Sequence, residues 1–224
     1  MPMGKFIVID GTDGSGKATQ TKLLVEKLKK EGYDIKVADF PQYGQRSAVL
    51  VEDYLNGKFG DAKSVGPYRA SIFYACDRYA ASFKIRKWLD EGKIVICNRY
   101  VSSNMGHQAG KIRDLAERDK FLGWLEDLEY NIFEIPKPDV NILLYMPPEI
   151  GQKLVDKKGH RDYVGGKKRD IHEADLEHLK EAAEAYKYVA EKYNWVVIDC
   201  APDGELKTIE EIHKIVLDKI KSLI

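Results

Sequence analysis

Short apolar runs alternate along this chain with longer stretches whose apolar residues recur every three or four positions. The first run, residues 5–10 (KFIVID), has the length and β-branched content of a buried strand. Runs at 35–38, 94–97 (IVIC), 140–145 (VNILLY) and 195–199 (WVVID) read the same way. Helical spacing fills the intervals. Leu23, Leu24, Val25 and Leu28 stand among lysines over 21–31, and Gly32 ends that helix. Further helices are expected near 47–56, 67–91, 100–109, 114–130, 149–156, 171–193 and 206–223. Strands that are apolar throughout and separated by helices belong to a parallel sheet covered on both faces, an α/β fold of three layers with five strands. In such a sheet ligands sit beyond the carboxyl ends of the strands, where the candidate residues also fall.

Composition narrows the class. The 224 residues carry 36 Lys plus Arg against 36 Asp plus Glu, a net charge of zero, which excludes a surface built to coat nucleic acid. An apolar share of 44% supports one domain over 1–224. No run approaches the roughly 18 apolar residues of a membrane helix, so no membrane is expected as a partner. The N-terminus enters a strand without an apolar signal segment, which points to the cytoplasm. Cys76, Cys97 and Cys200 are odd in number and lack a CxxC pair, so they read as reduced packing residues.

The chemistry begins at Gly11-Thr12-Asp13-Gly14-Ser15-Gly16-Lys17, which follows the first strand and opens the first helix. That context and spacing define a P-loop. Its glycines let backbone N–H groups turn around phosphate oxygens, the helix N-terminus adds positive field, and Lys17 reaches the β- and γ-phosphates. The following residue is Ala18, where the motif places a hydroxyl on Mg²⁺. Gly11 to Thr19 are the expected nucleotide-binding residues, but the Thr19 hydroxyl does not replace the missing one, because one helical step turns a side chain by roughly 100°.

Several further segments, in one order along nearly the whole chain, resemble the thymidylate kinase family. They are Phe40-Pro41, Tyr74-Ala75-Cys76-Asp77-Arg78, Asn98-Arg99-Tyr100, Ser103-Asn104 with His107-Gln108, Pro138-Asp139 and Pro147-Pro148-Glu149. The resemblance implies a P-loop NTPase-type fold, a homodimer, and phosphorylation of dTMP by MgATP. It places Arg99 between donor and acceptor phosphates, where a planar fork of donors suits the spreading charge of phosphoryl transfer. It sets Tyr74 on the thymine ring and Arg78 on its exocyclic oxygen; the two are four apart and share a helix face. Ser103, Asn104 and Gln108 then serve the pyrimidine edge, Asp13 the acceptor side or hydrated Mg²⁺, and Arg46 the acceptor phosphate. His107 stands where the family crowds the sugar 2′ position with tyrosine.

A basic segment completes the reading. Residues 153–169 hold seven Lys or Arg and two Asp, a net +5, with three glycines, which predicts a small mobile lid over about 155–170. Gly14 occupies the P-loop position where some family members carry an arginine, so Arg161 or Arg169 is expected to act from the lid. His172 opens the next helix and is a further candidate for substrate contact. Residues 170–184 then reverse the sign, six acids against one lysine. Ala18 and Asn98 both weaken metal binding, which leaves Mg²⁺ to phosphates, waters and Asp13. Two alternatives stay open: a kinase for another deoxynucleotide or deoxynucleoside, and a nucleotide-binding module with little catalysis.

Overall fold

A computed structural model describes residues 4–156 and 176–224. Its sheet comprises β1 (Lys5–Gly11), β2 (Ile35–Asp39), β3 (Ile94–Asn98), β4 (Val140–Tyr145) and β5 (Val196–Asp199). All pairings are parallel, in the order β2-β3-β1-β4-β5. The helices among the described residues are α1 (Lys17–Lys30), α2 (Val49–Leu55), α3 (Ala62–Asp90), α4 (Val101–His107), α5 (Leu115–Glu126), α6 (Pro148–Asp156), α7 (Leu176–Lys192) and α8 (Ile209–Lys221).

β1 lies at the centre, and its alternating side chains feed two cores, which is why its run is apolar throughout. Ile7 and Ile9 join Leu24 and Leu28 of α1 with Ile212, Val216 and Ile220 of α8. Phe6 and Val8 join Ile85 of α3, Val101 and Met105 of α4, Phe121 of α5 and Val189 of α7 on the opposite face. The three layers follow. Strands β2 and β3 lie on one side of β1 and β4 and β5 on the other, so the carboxyl end of β1 borders the switch point where such sheets bind ligands.

Two helices depart from the plain periodicity. Within α3, Gly66 leaves helical geometry and Pro67 restarts it, so the expected start at 67 coincides with a kink rather than the first turn. The four residues before it are capped by Asp61, whose carboxylate accepts from the Ser64 N–H at 2.7 Å. α5 runs into a π-helical turn, Asp127–Ile132, in which the Phe133 N–H reaches the Leu128 carbonyl at 2.9 Å. Apolar spacing predicted ordinary helix there; the wider turn rotates Glu129 into the interior. The last helix starts at Ile209, behind a Thr208/Glu211 capping box, rather than at 206. The lid expected over about 155–170 falls almost entirely outside the described residues, as do Arg161, Arg169 and His172.

Candidate active site

The loop between β1 and α1 is clamped to the backbone of its neighbours. Thr12 Oγ donates to the Met146 carbonyl and accepts from the Met146 N–H, both at 2.8 Å, which fixes the loop to the end of β4. Gly14 (φ 79°) and Gly16 (φ 80°) are left-handed. A Cβ on Gly14 would also lie 2.3 Å from the Gly151 carbonyl oxygen, because α6 packs directly on the loop. Only glycine fits there, so position 14 has no room for a cationic side chain. Lys17 is buried and its Nζ donates to the Gly11 and Thr12 carbonyls, each at 2.9 Å. Ala18 borders the cavity, whereas Thr19 is exposed and does not, as the helical step predicts.

Arg99 follows the last residue of β3 with φ 63°, a left-handed conformation that costs an L residue on the order of 1 kcal/mol. Its N–H donates to the Ile9 carbonyl at 3.0 Å, and the turn swings its guanidinium over the P-loop. There Nη2 donates to Asp13 at 2.9 Å, while Nη1 reaches Ser103 Oγ at 3.4 Å and His107 Nε2 at 3.3 Å. Burial alone would raise the Asp13 carboxyl; positive charge at His107, Arg99 and Lys17 outweighs it and holds the group well below the usual carboxylate range. At neutral pH Arg99 and Lys17 supply that charge, since burial pushes His107 down to about 3 and leaves it uncharged. Arginine only donates, so His107 Nε2 accepts and the ring proton sits on Nδ1.

Beneath this cluster lies Asp10, which the strand reading treated only as the end of an apolar run. Its buried carboxylate accepts from the Gly11 N–H at 2.8 Å, Ser102 Oγ at 2.6 Å, Ser103 Oγ at 2.7 Å and the Tyr186 hydroxyl at 3.0 Å. An acid closing an otherwise apolar strand was the available signal. Asp10 therefore ties Ser103, and through it Arg99, to the P-loop.

The other end of the cavity is built from side chains. Tyr74 lines it and meets Tyr54 edge-on, ring centres 6.3 Å apart. Arg78, one turn further along α3, is only 2% exposed. It forms a buried ion pair with Glu129 on the π turn and donates from Nη1 to the Tyr100 carbonyl at 3.2 Å. Those bonds engage at least three of its five N–H groups, so at most two remain for a base oxygen. Asn104 donates to the Ser71 carbonyl at 3.4 Å, which leaves its Oδ1 as the acceptor. Gln108 is buried on the same wall.

Phe40 and Pro41 border the cavity across a cis peptide bond. Asp77 staples the loop that follows to α3: it accepts from the Gln42 N–H at 2.8 Å and from Ser47 Oγ at 2.6 Å. Arg46 is the correction. It is exposed at the start of the short helical turn Arg46–Ala48 and does not line the cavity; Tyr43 does. The loop turns back onto α3 at Asp77, so a residue three beyond Tyr43 is carried away from the cleft. Asn98 donates to Asp39 at 2.8 Å, so an amide at the end of β3 braces a carboxylate at the end of β2.

One cavity of about 340 Å³ thus joins Asp13, Lys17 and Arg99 to Tyr74, Arg78, Ser103, Asn104, His107 and Gln108. A cationic end and an aromatic, amide-lined end suit a phosphorylated heterocycle. Comparison with known proteins points to one family. The sequence model of the family described as thymidylate kinase matches residues 9–214. A thymidylate kinase of Mycobacterium tuberculosis is 29% identical over 202 residues, 88% of this chain and 92% of that one. One from Plasmodium falciparum is 28% identical over 220 residues, covering 98% and 91%. The solved structure of thymidylate kinase from Candida albicans superposes with a TM-score of 0.73 at 22% identity, over 98% of this chain and 92% of that one, a likeness of fold.

Proposed function

The chain belongs to the thymidylate kinase family, and from that premise we propose that it transfers the γ-phosphoryl group of ATP to the phosphate of dTMP, giving dTDP and ADP. The carrying observation is the single cavity with Lys17, Asp13 and Arg99 at one end and Tyr74, Asn104 and Gln108 at the other. The acceptor is a phosphate oxygen, already ionised near neutral pH, so the protein needs no dedicated general base. Its work is placement and charge. The loop N–H groups and Lys17 hold the donor phosphates, and Lys17 has only to exchange two carbonyl partners for phosphate oxygens. Arg99 spans the gap, held between Asp13 and Ser103 so that its fork is in place before the substrates arrive.

Mg²⁺ accompanying ATP fits this site sparingly. Asp13 offers one carboxylate, Ala18 offers none of the usual hydroxyl, and no group of three His, Cys, Asp or Glu converges among the described residues. That suits an ion that keeps most of its waters: Asp13 would hold it, and it would supply positive charge against the phosphates. The packing of Gly14 on Gly151 requires any further cation to come from elsewhere, and Arg161 or Arg169 is our choice. Arg78 and Tyr74 take the base, with Phe40 and Pro41 on the same wall.

The test incubates the protein with MgATP and a panel of nucleosides and nucleoside monophosphates, scoring products by chromatography. dTDP should form fastest. ATP bound tightly with no product from any acceptor would instead establish a nucleotide-binding module.

The same reading makes the whole chain one kinase domain, working in the reducing cytoplasm with Cys76, Cys97 and Cys200 free, and paired as a homodimer. Tyr68, Ile72, Tyr79 and Phe83 lie on one stripe of α3 at coiled-coil spacing, and Phe83 is 58% exposed. Phe83→Glu should shift the sedimenting species to half its mass; an unchanged mass would move the interface elsewhere.

A further inference from the structure

Behind the base end of the cavity, outside its lining, stands a cation that the proposed transfer does not use. Lys111, in the short helical turn Ala109–Lys111 after α4, is half-buried. Its Nζ donates to Gln108 Oε1 at 2.7 Å, to the Tyr54 hydroxyl at 2.8 Å and to the Ala62 carbonyl at 3.5 Å. The Tyr54 ring centre lies 5.5 Å from the ammonium, which sits at the ring's hydroxyl edge. No carboxylate lies within ion-pair range of it among the described residues. Burial accordingly pushes its pKa down to about 7. A half-buried ammonium with no counter-charge among the described residues is costly, and its shortest contact is to a residue that lines the cavity.

We propose that Lys111 is a positioning residue that fixes the orientation of the Gln108 amide and thereby favours a thymine-type base over a cytosine-type base. A protonated lysine has donors and no acceptor, so while Lys111 carries its charge the end of Gln108 that faces it is Oε1. The amide is planar, so Nε2 is left for the cavity as a donor. Asn104 is fixed in the opposite sense, since its Nδ2 is committed to the Ser71 carbonyl and Oδ1 remains as an acceptor. Beside Arg78, these two amides therefore offer one donor end and one acceptor end. A 4-keto pyrimidine with N3–H presents the complement, a carbonyl oxygen beside a donor. Cytosine presents the reverse, an amino group beside an unprotonated N3, and leaves buried polar groups mismatched. Without Lys111, Gln108 could flip and satisfy either base.

This inference rests on the dTMP-kinase reading, and the experiment separates the two. Wild-type enzyme is first assayed with dTMP and dCMP; absence of dTDP overturns the kinase reading itself. If dTDP forms, Lys111→Gln is compared with wild type. A glutamine there keeps a polar reach to Tyr54 but both donates and accepts, so it no longer dictates Gln108. We expect KM for dTMP to rise about tenfold with kcat nearly unchanged, and the dTMP-over-dCMP preference in kcat/KM to fall by about tenfold or more. Lys111→Arg, donor-only like lysine, should retain the preference. In a Gln108→Ala background, Lys111→Gln should bring no further loss. A Lys111→Gln enzyme with unchanged KM and preference overturns the proposal, and so does an equal loss of preference when Gln108 is already alanine. A lowered melting temperature alone, with the kinetic ratio intact, assigns Lys111 to packing and overturns it equally.

Discussion

At the phosphate end of the cavity the groups are held by backbone: glycine conformations, a left-handed Arg99, carbonyls around Lys17 and the Thr12–Met146 clamp. At the base end they are held by other side chains, through the buried Arg78–Glu129 pair, the Tyr54–Tyr74 edge contact and the Lys111–Gln108 bond. The first arrangement centres on one contiguous loop, tied to the ends of β3 and β4, and is preorganised against charge. The second depends on side chains from α2, α3, the π turn and the turn after α4, and doubles as part of the core. Loss of a charged side chain at the phosphate end should therefore show in rate, and at the base end in stability as well.

The largest expected effect tests the first half of that contrast. Arg99→Ala removes the fork that bridges Asp13 and the cleft, and turnover should fall about a thousandfold while the thermal transition stays within a few degrees. Lys17→Ala should behave alike. Near-normal turnover in either variant would show that the rate does not depend on that cation. At the base end, Glu129→Ala strips the counter-charge from a guanidinium that is 2% exposed. Leaving that charge unpaired should cost ~3–5 kcal/mol, a drop in Tm on the order of 10 °C. Were Glu129→Ala to keep its stability and lose only dTMP affinity, the two ends would not differ in the way their construction implies.

Gly14→Ala then probes backbone support directly. The new Cβ would meet the Gly151 carbonyl at 2.3 Å on a backbone already at φ 79°. Strain and overpacking together should cost about 2–3 kcal/mol and weaken ATP binding, because α6 or the loop must move. A fully stable variant with wild-type ATP affinity would mean that the loop yields freely, contrary to a rigid cradle.

The contrast also explains what could be read from sequence. The P-loop is contiguous, so Gly11 to Lys17 declared the cradle outright, and apolar runs gave the five strands and their parallel sheet. Asp10 was hidden in a strand, since a single acid after an apolar run does not say what it accepts. Glu129 was hidden more deeply: periodicity cannot distinguish an α turn from a π turn, and only the π turn brings this acid inward beneath Arg78. Arg46 failed for a related reason. Spacing along a loop gives no direction once Asp77 has stapled the chain back onto α3. Lys111 carried no motif at all, and its meaning depends on Tyr54 and Ala62 arriving from other elements.

His107 sits at the seam between the two ends, and its titration offers the smallest test. Burial, reinforced by the Arg99 charge and opposed by Asp13, lowers its pKa from 6.5 to about 3. Between those values the unfolded chain binds a proton that the folded chain refuses, so acidification favours unfolding. This contribution is absent above about pH 6.5 and grows as pH falls toward about 3. His107→Gln has nothing to protonate and keeps an acceptor for Arg99, so it should lose less stability across that window than wild type, while both behave alike at pH 8. The folded enzyme should also show no rate inflection from this ring near pH 6.5, because it remains neutral with Nε2 turned to Arg99. Equal acid sensitivity in the two proteins, or a His107 resonance titrating near 6.5 in the folded state, would mean that water reaches the seam and that the two ends are not sealed from one another.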